Sequence, residues 1–170
     1  MSRQGSPLFA AVFLAMVMAS AGCNSVDLKT QVQVVDVSSG YYDNGITPAG
    51  LNHMVPSITF SLRNISDKEV SSIDMVVMYW AQGQDTEQDE SLLKVVGGSG
   101  LPAGATSDPV VSRSRVGFTL AAPRAELFAN SRFVEWTAKM FLKRGGKIVP
   151  AGEYKIEHKL LLSAPTPAPK

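Results

Sequence analysis

The stretch "FVEWTAKMFLKRGGK", Phe133–Lys147, decides the fold class. Val134, Trp136, Ala138, Met140 and Leu142 alternate with Glu135, Thr137, Lys139 and Phe141. A period of two puts the first set on one face of a β-strand, with Trp136 flanked by Val134 and Ala138 in its apolar row. Gly145-Gly146 then supplies a two-residue hairpin turn. The chain resumes as "YKIEHKLLL", Tyr154–Leu162, with Tyr154, Ile156, His158, Leu160 and Leu162 on one face. His158 interrupts that apolar row. A hydrogen-bonded or strand-end histidine is expected there in preference to a general base.

The same alternation extends upstream. In "SITFSLRN", Ser57–Asn64, Ile58, Phe60 and Leu62 share a face. "SIDMVVMYW", Ser72–Trp80, has apolar residues in both registers, as a central strand does. "TQVQVVDV", Thr30–Val37, reads as a first strand, and "SSGYYDNGITPAG", Ser38–Gly50, as a turn-rich loop signalled by Asn44-Gly45. "NISDK", Asn64–Lys68, is a turn, "AQGQDTEQDES", Ala81–Ser91, a polar loop, and "LLKVV", Leu92–Val96, a short strand. "PVVSRSRVGFTL", Pro109–Leu120, reads as a strand starting after Pro109. "APRAELFAN", Ala122–Asn130, has Pro123 at a first helical position and Asn130 at the stop, which predicts a two-turn helix. About seven short strands and one short helix predict an all-β, immunoglobulin-like antiparallel sandwich of two sheets.

The amino terminus is of another kind. "MSRQGSP" carries one charge, Arg3, and Leu8–Ala19 is twelve residues without any. As a helix the apolar run reaches about 18 Å against a hydrocarbon core of about 30 Å, so it suits a secretory signal peptide better than a permanent span. Cys23 is the sole cysteine, which excludes an internal disulfide. Ser20-Ala21-Gly22-Cys23 resembles the lipobox of bacterial lipoproteins, with Ser20 where an aliphatic residue is usual. The resemblance implies lipid on the Cys23 thiol, cleavage before it and acylation of the new terminus. Two or more chains make a stable anchor where one does not. Asn24 in place of the inner-membrane Asp signal implies the outer membrane, periplasmic side, with the cell surface as the alternative. The domain map is signal peptide 1–22, lipidated tether 23–29, sandwich 30–163 and a proline-rich, disordered tail 164–170.

Cleavage leaves 148 residues, enough for one domain with a core. The mature charge is near zero, against a nucleic-acid partner. Cys23–Val110 holds 4 basic and 11 acidic residues, and Val111–Lys170 holds 11 basic and 4 acidic. Neutralisation of acidic by basic strands is expected.

"LRNISDKEVSSIDMVVMYW", Leu62–Trp80, with the later "LPAG" of Leu101–Gly104, resembles FxLYD-type domains and the YcfL-like small periplasmic lipoproteins. Val76 and Trp80 stand where the FxLYD motif has Phe and Asp. The resemblance implies a sandwich in the envelope and brings no catalytic residue.

The chain offers little chemistry. His53 and His158 lack the ligand spacing of a zinc site, and Met75, Met78 and Met140 sit at strand registers, which disfavours copper. "DTEQDE", Asp85–Glu90, lacks the glycine and spacing of a calcium loop and reads as a solvated acidic turn. No Gly-x-Ser-x-Gly elbow occurs. No cofactor is expected and no enzyme. The expected function is a non-enzymatic interaction or assembly module with an envelope protein partner. Its expected surface is Tyr41, Tyr42, Trp80, Asp85, Glu87, Asp89 and Glu90. A glycan- or metal-binding lipoprotein is the alternative.

Overall fold

The computed structural model describes residues 28–161. Cys23, the signal peptide and the 164–170 tail lie outside the described residues. A single turn of helix, α1 (Leu28–Gln31), leads into nine strands: β1 (Val32–Ile46), β2 (Asn52–Asn64), β3 (Ile73–Ala81), β4 (Asp89–Val96), β5 (Val110–Arg113), β6 (Phe118–Leu120), β7 (Trp136–Arg144), β8 (Lys147–Lys155) and β9 (Leu160–Leu161). One sheet runs β5-β2-β1-β9, with β6 also on β2; the other runs β4-β3-β7-β8. Every pairing is antiparallel except β1 with β9. The two sheets form a β-sandwich.

The alternating rows meet between the sheets. Ile58, Phe60 and Leu62 of β2 are fully buried, as are Ile73, Met75, Val77 and Tyr79 of β3. From β7 come Trp136, Ala138, Met140 and Leu142. Val134, expected in that row, precedes the strand and is exposed. β3 lies between β4 and β7, the central place its two-sided apolar pattern demands. The Gly-Gly turn joins β7 to β8, with Arg144 opposite Lys147.

Four expectations are corrected. β1 does not stop at Val37. It continues through Ser38–Tyr42, with bulges at Asp36, in positive φ, and near Gly45. Asn44-Gly45 therefore marks a bulge, and the reversal follows at Thr47–Leu51. Pro109–Leu120 divides into β5 and β6. The predicted helix is a 3-10 helix, Arg124–Ala129, with Pro123 just before it. The expected last strand also divides. β8 ends at Lys155, and residues 156–159 cross to the other sheet, where β9 joins β1.

That crossing explains the small residues of β1. Buried Ser39 donates from Oγ to the Lys155 carbonyl and accepts from the Glu157 N–H. The Tyr41 N–H donates to the Lys159 carbonyl. A Cβ on Gly40 would lie 2.6 Å from that same carbonyl oxygen, so only glycine fits.

The opposite side of the sandwich is joined by polar groups. Tyr79 Oη donates to Ser112 Oγ at 2.9 Å, and Ser91 Oγ lies 2.7 Å from the same atom. Beside them Asp89 of β4 reaches across to the residue two places past β5. Its carboxylate accepts from the Arg115 backbone N–H at 2.6 Å, from Arg115 Nε at 2.9 Å, and from the guanidinium terminus. Asp89 has a side-chain exposure of 3% against 82% for Arg115. Burial pushes the Asp89 carboxyl up, but the Arg115 side-chain and backbone hydrogen bonds and its charge outweigh it, so the group titrates below its ordinary value. A depressed carboxylate stabilises the fold above its unfolded pKa of about 3.9 and loses that contribution as pH falls through the folded value. Asp89→Asn is expected to cost about 1–2 kcal/mol at neutral pH. The gap to wild type, read from urea midpoints, should close progressively below about pH 4; a gap unchanged at low pH contradicts the assignment. The other Asp–Arg ion pair among the described residues, Asp43 with Arg124 at 2.9 Å, also joins the acidic half of the chain to the basic half.

Candidate functional site

The strands give the sandwich two ends. At one, α1 meets the Asn64–Lys68 turn and the β7–β8 hairpin; Arg144 donates to Gln31 Oε1 at 3.1 Å there. Asn64 is buried and organises the turn, donating to the Lys68 and Leu101 carbonyls and accepting from the Ser66 N–H. At the other end lie the β1–β2 turn, the loop 82–88, the 3-10 helix and residues 156–159.

This second end is closed by aromatic rings. Tyr41 packs edge-on to Phe128 and Phe133, with centroids 5.5 and 5.4 Å away. Phe118 stacks on Phe133 at 5.1 Å and meets Trp136 edge-on at 6.3 Å. Tyr41 is thus 0% exposed and leaves the expected interaction surface for the core. Its alternation with Tyr42 along β1 requires this, since neighbours on a strand face opposite ways. Burial foremost, then the Glu135 charge, pushes its phenol pKa above the ordinary value, so the hydroxyl stays protonated. His158, expected in an apolar row, is instead exposed. It stacks on Phe128 at 5.0 Å and lies 2.7 Å, Nε2 to Oε1, from Glu135.

The remaining expected residues do not share one surface. Tyr42 is on the outer face of the β1 sheet, under the Arg113 guanidinium at 3.6 Å. Trp80 is on the outer face of the other sheet, under Lys139 Nζ at 4.6 Å from the ring centre. Their inward neighbours Tyr41 and Tyr79 are both in the core, so the sandwich separates Tyr42 from Trp80. Asp89 is also withdrawn, being buried against Arg115. Asp85, Glu87 and Glu90 stay exposed, the first two on the loop and Glu90 on β4.

What the structure does bring together is a groove of about 310 Å³ beside Trp80. Its floor is Trp80 and Thr137, and its rims carry Lys139, Lys155, Glu135 and Glu153. Gln82 and Gln84 close it from the loop that also bears Asp85 and Glu87. Glu135 belongs to both the groove and the His158 pair. The site offers one aromatic face, amide donors and acceptors, and charges of both signs. Among the described residues, no group of three or more His, Cys, Asp or Glu is placed to hold a metal, and no helix is long and apolar enough to cross a membrane. Sequence reading missed Glu135, Lys139, Glu153 and Lys155 as groove residues. Their outward register in "FVEWTAKMFLK" and "EYK" was visible, but the adjacency of β7 to β3 was not.

No protein-family model matches the chain, and no curated protein matches it. Among solved structures, "X-ray structure of Northeast Structural Genomics Consortium target SoR45" matches with 11% identity and a TM-score of 0.42, covering 76% of this chain and 89% of that one.

Proposed function

We propose that the chain is a non-enzymatic, lipid-anchored envelope protein that docks a protein partner on the periplasmic side of the outer membrane. The lipobox-like Ser20–Cys23 supports the anchor. One observation carries the docking reading: the Trp80 groove, bordered by the acidic loop, lies at the end of the sandwich opposite the one where the chain enters. Five residues separate Leu28 from Cys23, a reach of at most about 18 Å. The six residue-to-residue steps of β3 from Asp74 to Trp80 set the groove about 20 Å further away. An anchor at Cys23 therefore leaves the groove clear of the bilayer. A half-buried aromatic floor with a charged rim suits a protein segment: the ring supplies contact area, and Asp85, Glu87 and Glu90 steer a basic partner.

Trp80→Ala is expected to leave the melting midpoint within a few degrees of wild type and to weaken partner capture from envelope extracts at least tenfold. Reversing Asp85, Glu87 and Glu90 to Lys should act mainly on association rate and its salt dependence. If Trp80→Ala melts early and loses capture only in proportion, the groove is structural and the docking face lies elsewhere.

A further inference from the structure

We infer that the β7–β8 hairpin is a second, electrostatic contact with the membrane, and that it fixes the tilt of the domain on an anionic bilayer. The inference rests on the anchored reading above. It is drawn from what the fold places at the entry end. The hairpin carries Lys143, Arg144 and Lys147 around Gly145-Gly146, and no carboxylate occurs from Trp136 through Gly152. Lys147 and both glycines are exposed. Arg144 spends one guanidinium N–H on the neutral amide of Gln31 and keeps its charge. Lys143 lies across from Asp74, which offsets part of its charge, and Asp67 and Glu69 stand on the neighbouring turn with Lys68 between them. The hairpin itself is therefore a positive element of this end, beside Lys29 of α1 and Arg63 of β2.

Two exposed apolar side chains accompany it: Ile148, 56% exposed, directly after Lys147, and Ile65, 49% exposed, on the adjacent turn. A basic cluster with projecting isoleucines is the chemistry of a lipid headgroup layer. Cations meet phosphate, and aliphatic groups enter the acyl boundary. The hairpin also sits where the tether requires it. Gln31, which it touches, is eight residues from Cys23, within about 28 Å of chain. Surface potential decays over about 10 Å at 0.1 M salt, so the contact needs this proximity and is salt-sensitive. The occupant is the phospholipid surface rather than a protein, because the tether holds this end at the bilayer.

The test uses the full mature chain from membranes, carrying Gly146→Cys or, as the distal control, Thr86→Cys. Thiol labelling followed by intact mass first reports whether Cys23 is blocked by lipid. The labelled chain is then placed in neutral vesicles and in vesicles with about a third anionic phospholipid, each carrying a headgroup quencher. The expected result is strong quenching at Gly146 on anionic vesicles alone, reversed by about 0.5 M salt, and little at Thr86. Each cation is worth roughly a fivefold preference for the surface. Replacing Lys143, Arg144 and Lys147 by Glu should therefore abolish the difference. Equal quenching at the two positions, or quenching at Gly146 indifferent to lipid charge, overturns the inference while the anchor stands. If Cys23 is found free, the anchored reading fails. Sedimentation of that chain with anionic vesicles then decides the hairpin alone: retention lost on charge reversal supports it, and no retention overturns it.

Discussion

Trp136→Ala should lower stability by about 3–5 kcal/mol, out of a total of about 5–15 kcal/mol for a domain of this kind. Trp136 is 4% exposed, sits on β7 between the sheets, and meets the Phe118 ring edge-on. Its Nε1 has no hydrogen-bond partner among the described residues, so the loss is one of packing and cavity formation rather than of a broken polar contact. The comparison is Lys139→Ala, three residues on and in the outward register. Lys139 lies over Trp80 on the solvent side, a contact worth about 0.5–1 kcal/mol. Urea midpoints of the two variants should therefore differ severalfold in their displacement from wild type. Equal displacements would mean that the β7 register is wrong.

Cys23→Ala should have the largest effect on location. If the cysteine carries the lipid, no other residue can replace its thiol. Labelling with radioactive palmitate should fall from full to background, and the leader should be retained, giving a heavier chain. Two or more acyl chains anchor stably where one binds only reversibly, so the mature wild-type chain should resist extraction by salt and alkali. A mature chain that begins elsewhere, with Cys23 unmodified, contradicts the anchor.

The core was legible where alternation was local. Ile58, Phe60 and Leu62, the two-sided β3, and the Gly-Gly hairpin each follow from a few neighbouring residues, because the period of a strand is two and its turn chemistry is short-range. What failed to show was long-range. Ser38-Ser39-Gly40 has turn composition, but Ser39 and Gly40 are small because residues 155–159 pack against them from more than a hundred positions away. Tyr154–Leu162 keeps a continuous apolar period, yet the chain changes sheets within it, and no periodicity records such a crossing. His158 was misplaced for that reason. The expected docking surface failed in the same way. Tyr41, Tyr42 and Trp80 look alike as aromatics beside turns. Strand alternation and the pairing of sheets send one to the core and the other two to opposite faces. Of the expected residues only Trp80 lines the groove; Asp85 and Glu87 are on the loop that closes it, Glu90 is on β4, and β7 and β8 supply most of the rest.

The most direct measurement is site-specific photo-crosslinking in intact cells, with a photoreactive residue at Gln84 on the groove rim or at Gln33 on the opposite sheet. Both side chains are exposed, so both report what lies against them. The expected result is a discrete protein adduct from Gln84 that disappears in the Trp80→Ala background, with none from Gln33. An adduct from Gln33 and none from Gln84, or a Gln84 adduct that survives Trp80→Ala unchanged, would contradict the docking role of the groove.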